Sequence, residues 1–161
     1  MARTLALRDQ LLAGLAAGIA GGIVIDAFLL AMAFAGGATP AQALGMYPWI
    51  ASVVFGHAIL ANPAAPALGV LLHFGVSIFW ALGYVYLVRS QPQLLTRPYL
   101  SGAGFGLVVY CFMQIMLITA GEYHRPSPQA LGIGLVAHIV FFGMTVALVV
   151  SRLLRRPSAA A

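Results

Sequence analysis

Residues 11–35, LLAGLAAGIAGGIVIDAFLLAMAFA, form a continuous apolar run that holds a single charged side chain, Asp26. A helix crosses a hydrocarbon core with about 20 apolar residues, so this run is long enough to span a membrane. It also exceeds the apolar core of about 7 to 15 residues in a secretory signal peptide, which favours a retained helix over a cleaved leader. The stretch therefore predicts a membrane-spanning helix that carries one carboxylate.

The composition of the whole chain indicates the same class of protein. Of the 161 residues, 62% are hydrophobic and 7% are charged, which leaves too few charges to cover a soluble domain. The net charge of +5 comes from arginines that stand at the ends of apolar runs or between them. Because they form no basic patch, no nucleic-acid partner is predicted. The single cysteine, Cys111, excludes an intramolecular disulfide and a cysteine-based zinc motif.

Four apolar runs are long enough to span a bilayer, at about 10–35, 66–88, 98–121 and 128–152. We therefore predict an all-α polytopic membrane protein in which residues 1–161 form a single membrane domain in the lipid bilayer. The arginines predict its orientation, because cytoplasmic segments are enriched in positive charge. Both termini are expected in the cytoplasm of a bacterial inner membrane, with only Arg125 on the outer side. The arginines on the cytoplasmic side are Arg3, Arg8, Arg89, Arg97, Arg152, Arg155 and Arg156.

The connection between the first two spans is too apolar for a solvated loop. Thr39 followed by Pro40 predicts a capped helix start, and a second short helical segment is expected at 48–61. About 14 residues are too few to span the membrane. We therefore predict that residues 40–61 form an interfacial or re-entrant helical cover on the outer side of the bundle.

Aromatic and charged residues mark the outer side of the predicted bundle. Tyr47 and Trp49 are typical of the belt of aromatic side chains at a membrane interface. The other outer connection is short and carries Glu122, His124 and Arg125.

The two halves of the chain share a pattern of glycines and polar residues. The first and third spans each contain two glycines followed by a polar residue at the same spacing, and the second and fourth each contain a glycine four residues before a histidine. Small residues four apart lie on one helix face, where membrane helices approach closely. The pattern predicts a two-hairpin internal repeat with parallel halves. The matched residues are Gly14, Gly18 and Asp26 with Gly102, Gly106 and Gln114, and Gly69 and His73 with Gly134 and His138.

The polar residues of the four spans fall at similar depths, given a helical rise of about 1.5 Å per residue. An ionised carboxylate at that depth costs at least about 2.5 to 3.5 kcal/mol, so Asp26 requires a partner or a proton. A histidine is the available partner, and such a pair can exchange a proton near neutral pH. We predict a polar layer with these members and neighbours: Asp26, His73, Gln114 and His138, with His57 in the cover and Ser77, Cys111 and Thr145 flanking.

Several functions fit this layer. The leading hypothesis is a proton-coupled site that binds or transports a small solute. Because four helices enclose little volume, transport would require a homodimer or another partner. The alternative is a non-catalytic structural or assembly subunit of a membrane complex, since glycine faces suit helix association. His73 and His138 could instead ligate haem b or a metal ion. The sequence has no nucleophile motif, phosphate loop or intramembrane carboxylate pair, so no enzyme class is predicted.

Three segments resemble a group of small uncharacterised bacterial inner-membrane proteins with four helices. They are YPWIASVVFGHAIL at 47–60, ALGVLLHFGVSIFWALGYVYLV at 67–88 and GLVVYCFMQIMLITA at 106–120. In that group a proline is usual at the position of His57 and an asparagine at the position of Gln114. The resemblance implies the four-helix layout and the inner-membrane location, and it brings no established activity.

Overall fold

The computed structural model describes residues 6–121 and 126–155, and within these ranges the chain is mainly helical and contains no strand. Two short 3-10 segments, His57–Ala61 and Pro92–Thr96, lie in connections, and a π-helical segment, Ala137–Gly143, joins the last two helices. The α-helices are α1 (Leu7–Ala35), α2 (Pro40–Leu44), α3 (Met46–Phe55), α4 (Ala65–Ser90), α5 (Pro98–Thr119), α6 (Pro128–Val136) and α7 (Met144–Leu154).

Four helices are long and apolar enough to cross a membrane: α1, α4, α5 and the continuous helix Pro128–Leu154, which we call the fourth span. The predicted all-α membrane fold with four spans is confirmed, and its helix ends agree with the prediction to within three residues. The predictions that rest on Arg3, Glu122, His124, Arg125 and Arg156 lie outside the described residues.

Neighbouring spans run antiparallel, which gives the bundle two distinct ends. One end holds the start of α1, the end of α4, the start of α5 and the end of α7, and we call it the terminal face. The opposite end carries α2 and α3, and we call it the α3 face. The arginines of the described ranges are exposed and belong to the terminal face: Arg8, Arg89, Arg97, Arg152 and Arg155.

The segment before α4 differs from the single helix expected at 48–61. The predicted start at Thr39 is present, since Gln42 N–H donates to Thr39 Oγ1 at 3.4 Å and Thr39 N–H donates to Gln42 Oε1 at 2.8 Å. The second helix, α3, begins at Met46 and ends at Phe55, because Gly56 adopts a φ of 79° that breaks the helix. A 3-10 turn then leads into α4.

Helix faces that carry glycines pack α1 against α4 and α5 against the fourth span. The contacts in the two pairs occur at corresponding positions. Gly14 of α1 packs against Leu82 of α4, and Gly102 of α5 packs against Ala147 of α7. Leu82 and Ala147 each lie nine residues after the histidine of their own span. This agreement supports the predicted two-hairpin repeat. A second set of contacts follows the same correspondence, between Gly18 and Ile78 and between Gly106 and Gly143.

The bundle is closely packed near the terminal face and opens toward the α3 face. Its buried core there includes Ala13, Ala17 and the aromatic ring of Tyr84. Although α1 packs along both α4 and the fourth span, the backbones of α4 and α5 make little close contact. These two helices meet through side chains, as when Trp80 packs against Phe112 with ring centroids 5.1 Å apart. Beyond Trp80, toward the α3 face, residues of both helices line a cavity.

Candidate functional site

A cavity of about 290 Å³ occupies the half of the bundle nearer the α3 face. Residues of α1, α3, α4, α5 and the fourth span line it, and most of its lining is apolar. The polar layer predicted from the sequence lines this one cavity, together with the flanking serine. These residues are Asp26, His73, Ser77, Gln114 and His138.

Asp26 is the most buried charged group in this lining, at 6% exposed. Its Oδ2 atom accepts a hydrogen bond of 2.8 Å from the Tyr47 hydroxyl. Its Oδ1 atom lies 3.0 Å from Nε2 of His73, which forms an ion pair when the imidazole is protonated. Helices α1, α3 and α4 therefore meet at a single carboxylate, and its two partners offset part of the cost of burying it.

The contact between Asp26 and His73 is close without being a well-formed hydrogen bond. The 3.0 Å separation lies within ion-pair range, but Oδ1 and Nε2 make no hydrogen bond with acceptable angles in the described residues. Both atoms are nevertheless sealed from solvent. Buried polar atoms are almost always hydrogen-bonded, so the pair retains hydrogen-bonding capacity for another group.

Gly69 explains how Tyr47 reaches the carboxylate. This glycine of α4 has no side chain where the backbone of Tyr47 crosses it, and a Cβ atom there would clash with the Tyr47 carbonyl group. The close approach brings the hydroxyl of Tyr47 onto Asp26. Burial, the hydrogen bond to Asp26 and the charge of Asp26 raise the pKa of the Tyr47 phenol to about 12. Tyr47 therefore stays protonated, and a donor, throughout the physiological pH range.

The sequence alone did not identify Tyr47 as a site residue. Its aromatic character and position near a span predicted only an interfacial residue. Asp26 lies 21 residues away on another helix, so no local spacing connects the two. The one useful signal is Gly69, whose bare face permits α3 to lie on α4.

The corresponding residues of the second hairpin are arranged differently. His138 lies in the π-helical segment, and its Nδ1 atom is 2.8 Å from the carbonyl oxygen of Gly134 in the same span. The ring of Tyr110 occupies the space beside Gly134 and lies 5.5 Å from the His138 ring, centroid to centroid. Gln114 lines the cavity. The second hairpin therefore faces the cavity with an amide and an imidazole, where the first presents a carboxylate and an imidazole.

Three residues predicted near the polar layer lie outside the cavity lining. His57 is exposed in the 3-10 turn after α3, and Cys111 is exposed on α5. Thr145 is partly buried in α7 and does not line the cavity. The cover is formed by α3, through side chains such as Trp49 and Ile50.

The described residues contain no group of three or more His, Cys, Asp or Glu side chains placed to hold a metal ion. His73 directs its Nε2 atom toward Asp26, and His138 directs its Nδ1 atom toward the carbonyl of Gly134. Haem or metal ligation by these two histidines stays a prediction from the sequence.

Three lining residues of the cavity, Trp49 and Val54 on α3 and Val76 on α4, are at least 39% exposed. Because α4 and α5 both line the cavity and make little close backbone contact, the exposure of Val76 indicates an opening between these two helices. Val76 lies near the middle of the 26-residue helix α4, roughly 17 Å from its first residue. An opening at that depth faces the hydrocarbon interior of a bilayer, not the water on either side.

Comparison with known proteins assigns the chain to a family without assigning an activity. No curated protein and no solved structure matches it significantly. One family model matches residues 8–161, which is nearly the whole chain. This four-span membrane protein therefore belongs to the family of unknown function DUF6789.

Proposed function

We propose that this membrane protein binds a small solute in the cavity and exchanges a proton at the Asp26–His73 pair. The observation that carries the proposal is the pair itself, with Oδ1 and Nε2 3.0 Å apart, buried, and without hydrogen bonds in the described residues. A carboxylate needed only to link helices would be expected to have both oxygens satisfied. Asp26 and His73 also line the cavity, and polar groups with unused hydrogen-bonding capacity in such a lining are typical of a binding site.

The charge balance of the pair supports proton exchange. With one proton, Asp26 and His73 together carry no net charge, whether the proton resides on the carboxylate or on the imidazole. A second proton, or loss of the first, leaves a net charge in an apolar lining, which is costly. Binding of a solute can change that cost and so move a proton. In the described residues, the other titratable groups that face the pair are Tyr47 on α3 and His138 across the cavity.

The orientation of the bundle determines on which side of the membrane the proposed site lies. The exposed arginines of the terminal face support a cytoplasmic location for both termini, by the enrichment of positive charge on that side. In a bacterial inner membrane the cavity would then lie toward the outer surface, beneath α3. Transport, the stronger form of the proposal, would require α3 to move away from the carboxylate, which would break the bond from Tyr47.

The two tryptophans of the chain provide the test, because both Trp49 and Trp80 line the cavity. Tryptophan emission of the purified protein in nanodiscs is measured between pH 5 and 9. We expect a reversible change in the wild type that is absent in Asp26→Asn and in His73→Gln. His57→Gln is the matched control, since His57 is exposed outside the cavity, and it should keep the change. A pH response that survives Asp26→Asn would refute proton exchange at the pair.

The rival hypothesis, an assembly or structural subunit, makes the opposite prediction in cells. A subunit that acts only through helix contacts should tolerate Asp26→Asn and His73→Gln, provided that both variants fold and accumulate. Complementation of a null strain by these variants, with protein amounts measured by immunoblotting, separates the two functions. Full complementation would favour the assembly role and contradict a functional role for the Asp26–His73 pair.

A further inference from the structure

The chemistry of the solute can be narrowed from the shape, lining and opening of the cavity. The exposure of Val76, near mid-span on α4, and the separation of α4 from α5 indicate an opening between these helices at that depth. A molecule that enters there arrives from the hydrocarbon phase. Charged groups are rare in that phase because of their cost, so the entering molecule is neutral and lipid-soluble.

The volume and lining of the cavity favour a solute that contains a ring system. An apolar cavity of about 150 Å³ accommodates benzene, so a cavity of about 290 Å³ holds a body of roughly two fused rings. Trp49, Trp80 and Phe142 line it, and aromatic side chains pack well against flat rings.

The buried carboxylate defines the polar end of the solute. Asp26 lines the cavity, its Oδ1 atom has no hydrogen bond in the described residues, and an ionised carboxylate can only accept. Because Oδ1 is sealed from solvent with His73 Nε2 3.0 Å away, a solute reaches it only when the His73 side chain turns aside. Its complement is therefore a donor on the solute. An ammonium group would also donate, but a neutral hydroxyl suits entry through lipid. An anionic solute is disfavoured by the negative charge of the Asp26 carboxylate and by the position of the described arginines at the terminal face.

On the basis of the proposed function, we infer that the solute is a lipid-soluble ring compound with a hydroxyl group. It enters from the bilayer between α4 and α5 and donates a hydrogen bond from its hydroxyl group to Asp26. The ring system lies against the aromatic side chains of the cavity, and the hydroxyl group keeps its proton while it donates the hydrogen bond.

Binding of two probes that differ only in the hydroxyl group tests this inference. The affinity of 2-naphthol and of naphthalene for the protein in nanodiscs is measured by equilibrium dialysis, with empty nanodiscs correcting for partition into lipid. We expect 2-naphthol to bind about tenfold more tightly than naphthalene after this correction. Asp26→Leu, which has no acceptor at this position, should remove this preference and leave naphthalene binding unchanged, which also shows that the cavity remains folded.

A second pair of variants tests the entry route. Val76→Phe adds bulk at the opening, whereas Leu71→Phe places the same aromatic side chain on the same helix at a residue that is 70% exposed and lies outside the cavity lining. We expect Val76→Phe to weaken 2-naphthol binding about tenfold and Leu71→Phe to leave it unchanged.

Three results would overturn the inference: equal affinity for the two probes, no binding above empty nanodiscs, or equal effects of the two phenylalanine substitutions. These outcomes are distinguishable from failure of the proposed function, because the latter is measured by tryptophan emission without any probe. A pH response that requires Asp26, combined with no preference for 2-naphthol, would leave the proton site standing and reject the hydroxyl-bearing solute.

Discussion

At the scale of single residues, the environment of Asp26 is determined by helices on either side of it. Tyr47 on α3 donates to one carboxylate oxygen, and His73 on α4 lies against the other. These partners explain how a carboxylate with 6% exposure can be retained within a span. They also differ in kind, because the Tyr47 hydroxyl donates a hydrogen bond, whereas His73 Nε2 lies within ion-pair distance without forming one.

Removing the Tyr47 hydroxyl should destabilise the protein. In Tyr47→Phe the ring is kept and Asp26 Oδ2 loses its hydrogen bond, so we expect the free energy of unfolding to fall by about 1–3 kcal/mol. Denaturant unfolding in detergent micelles measures the change. Tyr86→Phe is the matched control, since Tyr86 is 71% exposed on the same bundle, and its stability should equal that of the wild type. Equal stability of Tyr47→Phe and Tyr86→Phe would show that the bond to Asp26 adds nothing.

The raised pKa of Tyr47 predicts a specific alkaline titration. An ordinary phenol is about half ionised at pH 10, but the Tyr47 phenol, with a pKa of about 12, should remain neutral there. Because the pKa is higher in the folded than in the unfolded protein, this stabilising contribution is complete below pH 10 and is lost as the pH rises through about 12. We expect wild type and Tyr47→Phe to develop the same tyrosinate absorbance up to pH 10. Excess absorbance in the wild type at pH 10 would contradict this assignment.

At the scale of helices, glycines set how closely the elements approach. Gly69 allows the backbone of α3 to lie directly on α4, and Gly106 allows α5 to lie on the backbone of the fourth span at His138. In membranes, where the hydrophobic effect does not drive helix association, such close packing is a main source of stability. The positions of the helices that line the cavity therefore depend on Gly69 and Gly106 having no side chain.

Substitution of Gly69 should displace α3. The Cβ atom of Gly69→Ala would clash with the Tyr47 carbonyl, so we expect a loss of about 1–3 kcal/mol in stability, as for other overpacked sites. The displacement should also change Trp49 emission, measured in a Trp80→Phe background. Gly75→Ala is the control on the same helix, where an added Cβ meets no atom within 4 Å. If Gly75→Ala is as harmful as Gly69→Ala, the effect belongs to helix flexibility and not to the α3 contact.

At the scale of the whole molecule, the four spans were predictable from the sequence, but the cavity was not. Long apolar runs identify the four spans, and the glycine faces place Asp26 and His138 toward the interior, where both line the cavity. The cavity results from the separation of α4 and α5, which depends on side-chain volumes across helices distant in sequence. The π-helical segment likewise has no clear signal in the periodicity of an apolar span. The role of Tyr47 could not be predicted from the sequence either, because it depends on where α3 packs against α4.

The orientation of the whole bundle is a further prediction, and it rests on charge. The described arginines all belong to the terminal face, while the residues of α2 and α3 carry no charged side chain. Because positively charged segments are retained on the cytoplasmic side, we expect α2 to be accessible from outside the cell. Single cysteines at exposed positions report this in a Cys111→Ser background, with Ala41→Cys on α2 and Gln93→Cys in the connection before α5.

A membrane-impermeant maleimide should label Ala41→Cys in intact cells and Gln93→Cys only after the membrane is permeabilised. Each variant is the control for the other. Both cysteines should react with the maleimide in permeabilised cells, which shows that each one is accessible to the reagent. The reverse labelling would place the termini outside and the α3 face in the cytoplasm, so that α3 would cover the cavity from within the cell. The opening between α4 and α5 would still face the bilayer in that case, since its depth near mid-span does not depend on orientation.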